Sequence, residues 1–155
     1  MQAILILHDI RSAHNVGSLF RTADAAGISK IYLSSTTPAP LDRFGRSRTD
    51  IAKTALGAEK NTPWEQYEVI FELLEKYKKE GYEVVAIEQS ENSVDYKTIN
   101  PGEKTIFILG NEVNGLSKEV LQAVDSIAEI PMVGEKESLN VSVAGGIALF
   151  RMMGR

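Results

Sequence analysis

Three stretches of this 155-residue chain gather residue types that grip anions, orient hydroxyls or bring backbone close to a ligand. Residues 8–27 read HDIRSAHNVGSLFRTADAAG. Asn15 is placed there to cap a helix, and Arg21 falls about 140° around that helix from Val16, off its apolar stripe. Such an arginine is either a solvated surface cation or a fork for phosphate or carboxylate. Residues 108–117, ILGNEVNGLS, set Asn111, Glu112 and Asn114 between Gly110 and Gly115. They lack both the G-x-G core of a dinucleotide site and the Lys-Ser/Thr of a P-loop. The run reads as a tight turn, with Glu112 either solvated or buried against a basic group. Residues 130–146, IPMVGEKESLNVSVAGG, put Ser138 and Asn140 on either side of Leu139 just before a helix. Capping accounts for one of the two. His8, Asp9 and His14 match no standard metal spacing, so no metal is expected.

The elements that position these stretches alternate. Ala3 to Leu7, Lys30 to Leu33, Tyr82 to Ile87, Thr105 to Leu109 and Ile127 to Ile130 are short apolar runs of strand length. Val16 to Ala26 repeats apolar residues at helical spacing and closes at Gly27. Thr62-Pro63-Trp64-Glu65 has the form of a capping box with proline at the first helical position. It predicts a helix from there to Gly81, with Val69, Ile70, Leu73, Leu74 and Tyr77 inward. Ser117 to Val124 and Asn140 to Met153 read as two further helices. In the last, Val141, Ala144, Ile147, Ala148 and Phe150 are expected to pack, and Gly145-Gly146 to admit another backbone. Residues 34–62 are long for a bare loop and are either functional or hold short elements. Strands alternating with helices imply an α/β layer fold with a mostly parallel sheet. No repeat, low-complexity tract or linker interrupts it, so a single domain over 1–155 is expected.

Zero cysteines exclude disulfides, zinc thiolates, iron–sulfur clusters and thiol nucleophiles, and a reducing cytoplasm is the expected compartment. No apolar run approaches the roughly 18 residues of a membrane span. The start, MQAILILHDIR, has no basic leader or small-residue cleavage site and reads as a strand. A net charge of −4 argues against coating nucleic acid by bulk charge. The charge is uneven, however. The first 60 residues carry eight Lys or Arg against five Asp or Glu, and Arg43, Arg46, Arg48 and Lys53 crowd one segment. That segment is either a solvated loop or a phosphate-binding patch.

In this order and spacing the three stretches resemble the SpoU-type (TrmH-like) RNA ribose 2′-O-methyltransferases of the SPOUT superfamily. The resemblance rests on Asn15, Gly17 and Arg21-Thr22-Ala23, then Leu109-Gly110-Asn111-Glu112 and Gly115-Leu116-Ser117. It continues in Ile130-Pro131-Met132, Gly134 and Ser138-Leu139-Asn140-Val141-Ser142-Val143-Ala144. It covers the chain from Leu5 to the C-terminus.

The resemblance implies the SPOUT fold, a mostly parallel sheet flanked by helices with a C-terminal deep trefoil knot, whose loops here would be residues 88–91, 109–117 and 130–142. It implies S-adenosylmethionine as cofactor and S-adenosylhomocysteine as product. Glu88, Leu109, Gly110, Asn111, Gly115, Ile130, Met132, Ser138 and Leu139 are the residues expected to hold it. Arg21, Asn15, Glu112, Ser138 and Asn140 are implied as catalytic: Arg21 on the 2′-hydroxyl or its phosphate, Asn15 orienting Arg21 or the ribose, Glu112 holding Arg21 or shaping the site. Arg11, Arg21, Arg43, Arg46, Arg48 and Lys53 are expected to meet RNA. The implied partners are tRNA or rRNA, a second copy of the chain, and an accessory RNA-binding protein, but no membrane. Other branches of the superfamily imply methylation at a base nitrogen as one alternative; a non-catalytic RNA-binding or assembly protein that retains the fold is the other. The appended RNA-binding domain that many relatives carry is not expected here.

Overall fold

The computed structural model describes residues 1–155. Its seven strands are β1 (Gln2–Leu7), β2 (Lys30–Ser34), β3 (Trp64–Tyr67), β4 (Glu83–Ile87), β5 (Val94–Asp95), β6 (Lys104–Leu109) and β7 (Ser126–Glu129). They form one sheet in the order β3-β2-β1-β6-β4-β7-β5, with every ladder parallel. The helices are α1 (Ala13–Ala26), α2 (Thr49–Ala55), α3 (Ala58–Asn61), α4 (Ile70–Lys79), α5 (Lys118–Ala123) and α6 (Val141–Met152), and a 3-10 turn spans Tyr96–Thr98.

The near-continuous apolar strands are buried on both faces, as a parallel sheet requires. In β1, Ala3, Leu5 and Leu7 join a core with α1, α2, α3 and α6, while Ile4 and Ile6 join the opposite core with α4 and α5. Because all strands run the same way, the segments after β1, β2, β4, β6 and β7 leave from one edge of the sheet. That carboxyl edge is where α/β folds bind ligands.

Several expectations change. Trp64–Tyr67 is not the start of a helix but the edge strand β3, paired with Ile31–Ser34 of β2. Pro63 precedes the strand, where its missing N–H breaks no ladder bond, and Tyr67 is buried under its hydroxyl's bond to His8 Nδ1 at 2.5 Å. The helix therefore begins at Ile70, with Val69 outside it and 45% exposed. Residues 34–62 hold α2 and α3, and the pair Val94–Asp95 adds a strand the apolar pattern did not show. Helix α1 starts three residues before Val16: Ser12, not Asn15, is its cap, accepting from the Asn15 N–H at 3.2 Å. Gly27 does end it, in the left-handed region at φ +85°.

In α6, Ala148, Leu149 and Met152 pack inward, but Ile147 and Phe150 stay exposed. Gly145 is crowded by the side chains of Leu19 and Leu109 rather than by another backbone. The close backbone approach occurs elsewhere: a Cβ on Gly17 would collide with Thr54 Oγ1 and the Ile51 carbonyl, which seats α2 directly on α1.

Candidate active site

The three stretches meet at the carboxyl edge around the first turn of α1. Glu112 lies on the turn after β6 and reaches back to that helix start. Its carboxylate accepts from the Arg11 N–H at 3.1 Å, the Ser12 N–H at 3.0 Å and Asn15 Nδ2 at 3.3 Å. Unpaired N–H groups at a helix start favour an anion. Burial, the largest influence, pushes the Glu112 carboxyl up; the bonds from Ser12, Arg11 and Asn15 outweigh it and hold the group below the ordinary glutamate range. Asn15 is buried inside α1, and its Oδ1 accepts from Asn140 Nδ2 at 3.2 Å. Asn140 caps α6, its own Oδ1 accepting from the Ser142 N–H at 2.9 Å and the Val143 N–H at 3.4 Å. A chain of polar contacts, Glu112–Asn15–Asn140, thus ties together segments about a hundred residues apart.

The turn after β6 is built by Asn111. Its Oδ1 accepts from the Val113 and Asn114 N–H groups at 3.0 and 2.9 Å, and its Nδ2 donates to the Asp9 carbonyl at 2.8 Å. Gly115, at φ +63°, closes the turn, and a Cβ there would strike the Glu88 carboxylate. Glu88 follows β4 and accepts from the Leu116 N–H at 3.0 Å. Gln89 beside it donates to the Glu137 carbonyl at 2.7 Å, laying the 130–140 segment against the end of β4.

These segments enclose a cavity of about 250 Å³. Leu109, Gly110, Ala128, Ile130, Met132, Leu139 and Ala144 supply its apolar wall, and Glu88, Glu112 and Glu129 its charge; no lysine or arginine lines it. Every residue expected to hold the cofactor is on this wall. Pattern reading missed Gln89, Glu129 and Ser12. Gln89 and Glu129 matter only through the sheet order, and Ser12 was legible as a cap three residues ahead of Asn15.

The residues expected to be catalytic divide. Glu112 and Ser138 line the cavity, and Asn15 and Asn140 brace it from behind. Arg21 does neither. It is exposed on the outer face of α1, in a separate depression with Ser18, Thr22, Lys53, Thr54, Leu56 and Phe150. Glu112's partners are the Arg11 and Ser12 backbone just before α1 and the Asn15 side chain, not Arg21. Of the cations expected to meet RNA, Arg11 is paired with Asp9, Arg46 with Asp42 and Arg48 with Asp50. Arg43 and Lys53 are exposed and have no carboxylate partner.

The chain and its fold have counterparts among known proteins. The SpoU rRNA methylase family model matches residues 2–150. This chain belongs to that family. A "putative TrmH family tRNA/rRNA methyltransferase" of Staphylococcus saprophyticus is 32% identical over 98% of this chain, which spans 58% of that protein's length. An AdoMet-bound rRNA methyltransferase from Sinorhizobium meliloti superposes with a TM-score of 0.85 at 30% identity, over 97% of this chain and 55% of that one. A structure determined to explain "2-OH methylation of C/U34 on tRNA" superposes with a TM-score of 0.81 at 25% identity, over 99% of this chain and 98% of that one. No helix here is long and apolar enough to cross a membrane.

Proposed function

We propose that the chain transfers a methyl group from S-adenosylmethionine to a ribose 2′-hydroxyl in tRNA or rRNA, working as a homodimer. The carrying observation is the cavity itself: the second and third stretches line it, the first braces it through Asn15, no basic residue lines it, and a Cβ on Gly110 would fall 2.8 Å from the Gly115 carbonyl carbon and the Leu116 side chain. A carboxylate-lined, apolar-walled cradle suits a cofactor that carries a sulfonium and an ammonium beside a flat base. The AdoMet-bound relative and the length-matched relative named for 2-OH methylation support the reading. The deep trefoil knot belongs to the same proposal; β6 lying between β1 and β4, and the 130–140 segment lying against the end of β4, are consistent with it.

When bound, the cofactor supplies an electrophilic methyl on a good leaving group. What remains for the protein is alignment and removal of one proton. Leu109, Ile130 and Leu139 would hold the base by apolar contact, and the backbone at Gly110, Ile130 and Leu139 would supply its hydrogen bonds. Glu112 fixes the cavity turn to the start of α1, and Ser138 and Asn140 order the segment that closes it. Arg21 grips the phosphate beside the target ribose and stabilises charge there. Its guanidinium is a poor base because it stays protonated, so the hydroxyl proton passes to water.

Arg21 is remote from the cavity of its own chain, and Val143, Ile147 and Phe150 leave an apolar stretch of α6 in solvent. A second copy packed on that stretch covers it and brings its Arg21 toward this cavity. The test is incubation with methyl-labelled cofactor and RNA, followed by nucleoside analysis. Label in 2′-O-methylnucleosides is the expected result. Label in a methylated base would move the reaction to a ring nitrogen, and cofactor binding without transfer would leave a binding protein.

A further inference from the structure

Residues 41–48 form a small hairpin-like turn after β2, on the same sheet edge as the cavity. Leu41 and Ser47 bridge antiparallel. Inside, the Asp42 carboxylate accepts from the Phe44 N–H at 2.8 Å, the Arg46 N–H at 3.0 Å and Arg46 Nε at 3.0 Å. Gly45, at φ +77°, makes the reversal. Such a turn is fixed by its own hydrogen bonds, yet at its tip Phe44 is 66% exposed. The Arg43 and Arg46 guanidiniums lie 4.7 and 5.0 Å from the ring centre. Asp42 neutralises Arg46, but Arg43 is held by the ring alone. The turn runs directly into α2, and Thr54 Oγ1 of α2 donates to the His14 carbonyl of α1 at 3.0 Å, so the tip is anchored to the helix carrying Arg21.

An exposed phenylalanine at a fixed tip, met by two guanidiniums over its ring, has no role in the core. Its ring face matches a nucleobase once a guanidinium, first of all that of Arg43, which no carboxylate holds, swings from the ring onto an adjoining phosphate. Duplex RNA hides its base faces within the stack and offers such a tip only backbone, whereas loops and single strands present bases for stacking. We propose that Phe44 is a stacking platform for an unpaired nucleobase near the target ribose, with Arg43 and Arg46 on the adjoining phosphates. The RNA taken up is then single-stranded or loop RNA. This rests on the reading of the chain as an RNA methyltransferase and narrows its substrate class.

The experiment measures anisotropy of a fluorescein-labelled single-stranded RNA, and of the same strand annealed to its complement, against the parent and the Phe44→Ala, Phe44→Trp and Arg43→Ala variants. Phe44→Ala is expected to weaken single-strand binding roughly 5- to 100-fold with its salt dependence unchanged. Phe44→Trp restores it, and Arg43→Ala lowers the slope of log affinity against log salt by about 0.7. The parent prefers the single strand, and its duplex binding ignores Phe44→Ala. Parent-like binding of the single strand by Phe44→Ala, or an equal loss on duplex, overturns the platform. Methyl transfer into total RNA by the parent separates the two failures: transfer that persists alongside an indifferent Phe44→Ala removes the platform alone. A parent that binds cofactor but neither binds nor methylates RNA removes the RNA reading and the platform together.

Discussion

Gly110→Ala is the sharpest perturbation of the cavity, because nothing about the backbone at Gly110 requires glycine. Its φ is not positive, so alanine adopts the conformation without strain. The added methyl instead lands 2.8 Å from the Gly115 carbonyl carbon and from Leu116 Cγ and Cδ2. Gly115 cannot withdraw easily, since the Glu88 carboxylate already occupies the space where its own Cβ would be. Overpacking of this kind costs about 1–3 kcal/mol. For a domain of this size that lowers the melting temperature by about 2–12 °C. The larger effect is on the ligand. At a cofactor concentration a hundredfold above its dissociation constant, the parent gains about 2.7 kcal/mol, which raises its melting temperature by about 5–11 °C. In Gly110→Ala the turn is pushed out and the cavity floor rises, so the folded variant shows no such rise. Thermal scans with and without S-adenosylmethionine measure both quantities in one experiment. A variant that melts a few degrees lower yet keeps the full cofactor shift would refute the assignment of the cavity, because the floor would then not bear the ligand.

The remaining outcomes test other parts of the structure. Gly17→Ala drives a methyl into Thr54 and the Ile51 carbonyl, so it should cost about 3 kcal/mol or more and lower the denaturant midpoint, with loss of RNA binding as α2 is displaced. Arg21→Ala should abolish most methyl transfer while calorimetry finds cofactor affinity unchanged, and Arg21→Lys should rescue poorly because an ammonium lacks the planar fork. Mixing Arg21→Ala with Leu139→Asp should recover part of the activity if Arg21 serves the partner's cavity; no recovery confines it to its own chain. Glu112 has a folded carboxyl held below its ordinary range, so its contribution to stability is complete above the unfolded value and is lost as pH falls through the folded one. Acid titration of amide exchange at Arg11 and Ser12 should show that loss in the parent and not in Glu112→Gln, whose exchange there should already be fast at neutral pH.

Much of this arrangement was legible in the residues because the apolar strands are short, buried on both faces and separated by turn chemistry. β1, β2, β4, β6 and β7 all fall within a residue or two of their apolar runs. The failure at Thr62-Pro63-Trp64-Glu65 is instructive. Local capping chemistry was satisfied on paper, but the free edge of β2 and the burial of Tyr67 favour a strand, and tertiary pairing outweighs a propensity worth little by itself. Asn15 does not cap α1, as its place before the apolar stripe allowed, but bridges Glu112 and Asn140, contacts across about a hundred residues that no local pattern encodes. Phe44 went unremarked because a lone aromatic in a polar loop carries no periodic signal, and only the geometry shows it exposed between two arginines.

The placement of Glu112 has a mechanical consequence. It is the residue that both lines the cavity and anchors the first turn of α1. Arg21 stands six residues beyond Asn15 on the same helix, which carries it about 9 Å up the axis, and the Phe44 turn is tied to that helix through α2. A ligand pressing on the turn after β6 therefore acts on α1 and the two residues before it through three donors on one carboxylate. Displacing that turn means breaking those bonds or moving the helix with it, and the close seating of α2 at Gly17 means that α2 moves as well. The cavity and the surface proposed to meet RNA are separate, but one helix joins them. The interactions that hold its first turn are also the ones that shape the cavity wall.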